Sequence, residues 1–70
     1  MGGIAAIGEA VRVQALALAG VLVLPGEDDA QVRARWAALP EDVAVVILTP
    51  RAAQALSEVG TGPLQVVMPG

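Results

Sequence analysis

Cysteine, histidine, lysine, phenylalanine and tyrosine are all absent from these 70 residues. Without cysteine there are no disulfides and no thiolate metal sites. Without His, Cys or Lys the usual general bases and activated nucleophiles of enzyme catalysis are missing. Basic charge is scarce as well: four scattered arginines against seven acids give a net charge of −3 and a pI near 4.4. Such a chain has no basic stripe with which to grip nucleic acid. Long apolar runs are also lacking, the longest being Ala15 to Leu24, ten residues interrupted by Gly20. A spanning helix needs about 20, so no membrane insertion is expected. No positively charged segment precedes the apolar part, as a secretory signal would require. The start MGGIAA lacks the Ser or Thr of a myristoylation signal, and a cytoplasmic location is the simplest expectation.

What is present is aliphatic. Apolar residues make up 56% of the chain, with Trp36 as its sole aromatic, so Ala, Val and Leu must build the core. Seventy residues suffice for one domain, residues 1–70. A chain of this size buries only about 60% of its unfolded surface, which leaves it marginal unless a partner contributes.

The hydrophobic pattern alternates strand and helix. Ile4–Ile7 is a short apolar run closed by Gly8, as in a buried strand. A helix is expected from Glu9 to Ala19 with Gly20 as its stop. Val11, Ala15 and Leu18 form its core stripe at 3.6-residue spacing. Val13, Leu16 and Ala17 fall on another side, so this helix is apolar beyond its core face. Val21–Leu24 reads as the second strand, ended by Pro25-Gly26. Glu27, Asp28 and Asp29 suit the positive end of a second helix, which Pro40 ends. Its core stripe is either Ala30, Ala34 and Ala37–Ala38 or Val32, Trp36 and Leu39. Val43–Leu48 is apolar at every position, as a strand covered on both faces should be. Thr49-Pro50 is an N-cap followed by a first-turn proline. The third helix then buries Ala52, Ala53, Leu56 and Val59 and stops at Gly60. Leu64–Met68 is a last strand, and Gln65 marks it as an edge.

A βαβαβαβ order calls for an α/β three-layer fold, Rossmann- or flavodoxin-like. The expected sheet has four parallel strands in the order 2-1-3-4 and three helices. Right-handed crossovers place the first helix on one face and the other two on the opposite face. The first face then has no helix over strands 3 and 4. A further C-terminal helix, a partner subunit, or self-association through that uncovered face is the expected cover. Val13, Leu16, Ala17 and Met68 are the candidate partner contacts.

Ligands of open α/β sheets bind beyond the C-terminal strand ends at the switch point. Here that edge carries Glu9, Thr49 and Arg51, which makes a stand-alone anion- or small-ligand-binding domain the alternative reading. The bland reading is a helix cap beside a solvated arginine. Gly3 and Gly8 have the spacing of a phosphate loop's outer glycines, but Glu9-Ala10 stands where Lys-Ser/Thr is required. The run Glu27-Asp28-Asp29 reads as capping acids, because adjacent residues at a helix start point in different directions. No catalytic, cofactor-binding or metal-binding residue is assigned, and no cofactor is expected.

The segments IAAIGE, LALAGV, VVILTPRAAQAL and VVMPG together resemble the F-subunit family of the V-type/A-type rotary ATPases. The family opens with an apolar strand and a Gly-Asp turn, matched here by Gly8-Glu9. Its first helix closes on a Leu-Ala-Gly-Val-like segment, matched by Leu18-Ala19-Gly20-Val21. Its Ile-Ile-Leu-Ile-Thr-type strand is matched by Val46-Ile47-Leu48-Thr49, and its closing Ile-Pro-Gly type by Met68-Pro69-Gly70. The matches run in order over essentially the whole chain, although each one is strand or helix punctuation. The resemblance implies a non-catalytic Rossmann-like domain on the central stalk of an ion-translocating ATPase. Its implied partners are the coiled-coil D-subunit of the stalk and neighbouring stalk or catalytic subunits, and its implied role is to couple or regulate rotation. Glu9 replaces the family's aspartate. Ala15-Leu16-Ala17 stands where a glycine, an aromatic and a basic residue are frequent. The family's C-terminal helix has no counterpart in these residues.

Overall fold

Four parallel strands in the order β2-β1-β3-β4 form the sheet of the computed structural model, which describes residues 3–57 and 62–69. The strands are β1 (Gly3–Gly8), β2 (Leu22–Pro25), β3 (Val43–Leu48) and β4 (Leu64–Val67). Helix α1 (Ala10–Val13) runs into a 3₁₀ segment (Gln14–Ala19), while α2 (Asp29–Ala37) and α3 (Pro50–Ala55) follow the second and third strands. This is the expected small α/β three-layer fold, with its switch point between β1 and β3.

Paired residues of a parallel sheet share a face, because side chains alternate with period two. On one face Ala5, Ile7, Val46 and Leu48 meet Val32 of α2 and Ala52, Ala55 and Leu56 of α3 and the turn after it. Leu24, Trp36 and Leu39 pack around that core. Of the two stripes open to α2, Val32–Trp36–Leu39 therefore faces the sheet, and the alanine stripe lies in solvent. Branched side chains remove more apolar area from water than Ala does. In α3, Ala52 and Leu56 are buried as expected and Ala53 is half-buried, while Val59 and Gly60 lie outside the described residues.

The first helix differs from its expected form. Only Ala10–Val13 is α-helical, and Gln14–Ala19 tightens to three residues per turn. Gly20 closes it in the left-handed region at φ 81°, a conformation that glycine adopts at little cost. Three-residue spacing aligns Val13 with Leu16. Val13 is fully buried and Leu16 half-buried, whereas Val11 and Leu18 are 75% and 95% exposed. The stripe Val11–Ala15–Leu18 thus points to solvent, which corrects the core assigned from a 3.6-residue period. Val13 is likewise withdrawn as a partner contact, because it is enclosed under α1.

Strand β4 is an edge, as expected, but Gln65 is not the reason. Gln65 is half-buried on the α3 side, opposite Val46, while Leu64, Val66 and Val67 are exposed. The other face of the sheet carries Ile4, Val45 and Leu64 in one row and Val23, Ala6, Ile47 and Val66 in the next. Helix α1 and the 3₁₀ segment pack on the β1–β2 half of that face. Over β3, β4 and the start of β1 it stays open: Ile4, Leu64 and Val66 are 47%, 65% and 46% exposed, and Val45 and Ile47 are half-buried.

Candidate functional site

Two features of this fold carry functional information: the polar switch-point edge and the open apolar strip.

The switch-point edge is built where β1 and β3 end side by side. The Thr49 N–H donates to the Ile7 carbonyl at 3.2 Å, which brings the β1–α1 and β3–α3 turns together. Thr49 is fully buried. Its hydroxyl donates to Glu9 Oε1 at 2.7 Å and accepts from the Ala52 N–H at 3.2 Å. It is therefore both the N-cap of α3 and a tie to a residue 40 positions away. The Ala10 N–H, at the start of α1, donates to Glu27 Oε2 at 2.7 Å. Glu27 thus caps α1 from the β2–α2 loop, while Asp28 caps α2 by accepting from the Gln31 N–H at 2.8 Å.

Thr49's hydroxyl holds the Glu9 carboxyl below the ordinary glutamate value of 4.5. Partial burial opposes this shift, and the Glu9 backbone, Arg12 and Arg51 add smaller lowering contributions. Glu9 is therefore a fixed anion at neutral pH. Of the two neighbouring cations, Arg12 Nη2 donates to the Pro69 carbonyl at 3.2 Å, and Arg51 is exposed.

The structure brings Glu9 and Thr49 into direct contact, with Arg51 nearby as a charge. Sequence reasoning missed Glu27 by grouping it with the acids of α2. Its only sequence signal was its place just after the Pro25-Gly26 turn at the C-terminal end of β2. The arrangement works against anion binding. An incoming phosphate would have to displace one carboxylate from Thr49 and another from the α1 N-terminus, leaving both beside its own charge.

A sign follows for pH. A carboxyl whose folded pKa is depressed contributes stability that is present above its unfolded pKa and is lost as pH falls through the folded value. We expect Glu9→Gln to reduce stability near pH 7, with the gap to wild type closing as pH falls below about 4.5. Urea titrations at pH 7, 5 and 3 check this. A gap that stays constant across those pH values would show that the Glu9 charge contributes nothing.

The candidate partner contacts are dispersed. Leu16 is half-buried, Ala17 is exposed, and Met68 is half-buried with its N–H donating to the Leu48 carbonyl at 2.7 Å. The open strip instead consists of Ile4, Val45, Ile47, Leu64 and Val66, none of which is among those candidates. The apolar run Val43–Leu48 was the sequence signal for it. Two strands at about 4.8 Å spacing span roughly 10 Å, the width of one packed helix.

At the opposite end of the sheet an open hollow is lined by Trp36, Leu39, Val43 and Pro63, with Glu41 as the one charged side chain among its described lining residues. Trp36 lies against Gly62, where an added Cβ would come within 2.8 Å of the ring. The ring thus covers the loop leading into β4. Among the described residues no three His, Cys, Asp or Glu cluster as a metal site, and no helix is long and apolar enough to cross a membrane. No protein-family model and no curated protein sequence matches the chain.

Proposed function

We propose that this chain is a non-catalytic docking module of the F-subunit family, a central-stalk component of a V-type/A-type rotary ATPase. In that setting it sits on the cytoplasmic side, peripheral to the membrane complex, and contacts the coiled-coil stalk subunit. It takes part in ion transport by coupling or regulating rotation and hydrolyses nothing itself. The observation that carries the docking part is the open strip Ile4–Val45–Ile47–Leu64–Val66, uncharged and one helix wide. An apolar strip of this kind on a small domain marks an interaction surface. The assignment to the rotary-ATPase stalk rests on the ordered sequence resemblance. The saturated switch-point edge supports a scaffold over an anion-binding site, because its hydroxyl and helix N-terminus already hold carboxylates.

The test is thermal denaturation with and without a rotary-ATPase coiled-coil stalk subunit. A partner that binds only the folded module stabilises it by about 2.7 kcal/mol at 100 times its Kd, an upward shift of about 10–20 °C for a domain this small. Ile47→Lys should abolish that shift. An unchanged melting temperature at saturating partner would overturn the proposal.

A further inference from the structure

The two outer edges of the sheet are finished differently. Along a strand, successive residues turn their N–H and C=O groups alternately to the two sides. On β2 the Gly26 N–H donates to the Gly8 carbonyl at 2.8 Å, so Leu24 and Leu22 also face β1, while Val21, Val23 and Pro25 face outward. The Val21 N–H is taken by the Leu16 carbonyl at 3.4 Å. Pro25 has no N–H, and its carbonyl accepts from Arg35 Nε at 2.9 Å. Only Val23 remains available along that edge.

On β4 the Met68 N–H donates to the Leu48 carbonyl at 2.7 Å, so Val66 and Leu64 also face β3. Gln65 and Val67 then turn both backbone groups outward, where the described residues supply no further strand. Natural edge strands are commonly blunted by charge, proline or a bulge. Leu64–Val67 carries none of these. Nor is there a charged residue anywhere from position 59 to 70, although the chain as a whole carries −3.

We propose that β4 is a pairing edge for a second copy of this chain. The two β4 strands run antiparallel about a two-fold axis at Val66. Gln65 of each copy exchanges N–H···O=C bonds in both directions with Val67 of the other, about four bonds in all. Val66 then meets its own counterpart as a close, non-hydrogen-bonded pair, a favourable arrangement for β-branched side chains. A second copy fits because the edge is self-complementary under that two-fold, and because its neutrality spares two acidic chains any repulsion at the contact. The result is a continuous eight-stranded sheet. Four residues a side bury well under the ~1,200 Å² of a stable interface, so the dimer is a weak one. This inference does not rest on the docking reading, since pairing uses the backbone edge of β4 and touches the apolar strip only at its rim, Leu64 and Val66, leaving Ile4, Val45 and Ile47 open.

Sedimentation equilibrium from about 1 µM to 1 mM should show a monomer–dimer transition. Val67→Pro, which deletes an outward N–H that β3 does not use, should raise the Kd at least tenfold. Ile47→Lys, in the middle of the open strip, should leave it unchanged. Hydrogen exchange on the wild-type chain provides a second readout, independent of any variant: the Gln65 and Val67 amides should gain protection between dilute and concentrated samples. A monomer throughout the range, a dimer insensitive to Val67→Pro, or amides whose protection ignores concentration would each overturn the proposal.

Discussion

Gly8→Ala is expected to destabilise the fold by about 1–3 kcal/mol, the cost of overpacking a site that cannot relax. A Cβ at Gly8 would lie closer than 3.0 Å to three side-chain atoms of Thr49. Thr49 has nowhere to go. It is fully buried, its N–H is held by the Ile7 carbonyl, and its hydroxyl holds both Glu9 and the first turn of α3. Gly8 cannot retreat either, because its carbonyl accepts from the Gly26 N–H. The check is a double-mutant cycle by urea denaturation. Thr49→Ala removes two of the three clashing atoms, so the double variant should lose clearly less than the sum of the single losses. Simple additivity would mean that the close approach of β1 to Thr49 is not what requires glycine.

Leu48→Ala is expected to cost about 2–5 kcal/mol. For a chain of 70 residues the total stability is only about 3.5–10 kcal/mol, so about half of it is at stake. Leu48 is fully buried between the central strands and α3, and its removal leaves a cavity that α3, held at its start by the Thr49 cap, cannot fully close. A fall in melting temperature of at least 10 °C is expected. Leu18→Ala supplies the contrast. Leu18 is 95% exposed, so its truncation should stay within about 0.5 kcal/mol. Comparable losses at the two positions would mean that the 3₁₀ segment packs its other side onto the sheet.

Those two leucines also show how far the amino-acid pattern can be read. Val43–Leu48 is recognisable to the residue because a central parallel strand is apolar at every position, and Thr49-Pro50 marks its helix by cap chemistry. From these anchors and right-handed crossovers the strand order 2-1-3-4 follows, along with the open half-face. The first helix departs from its expected stripe because QALALA winds at three residues per turn and not at 3.6. Either period is compatible with alternating Ala and Leu, and only packing against the sheet chooses between them. The candidate site was legible in part. Glu9 and Thr49 meet because the topology sets two strand ends side by side, whereas Glu27 reaches α1 across a loop that no local spacing rule connects to it. Gln65 suggests the edge character of β4, although the order of strands is what produces it.

If the open strip is the working surface and the switch-point edge is structural, the two should respond to different ligands. Amide chemical-shift mapping during titration with the coiled-coil stalk subunit, and separately with inorganic phosphate, tests both halves. With the coiled coil, shifts should concentrate at Ile4, Val45, Ile47, Leu64 and Val66. With millimolar phosphate, the Ala10, Thr49 and Ala52 amides should stay still. Phosphate-dependent shifts at those three amides, together with an unresponsive strip, would contradict both assignments.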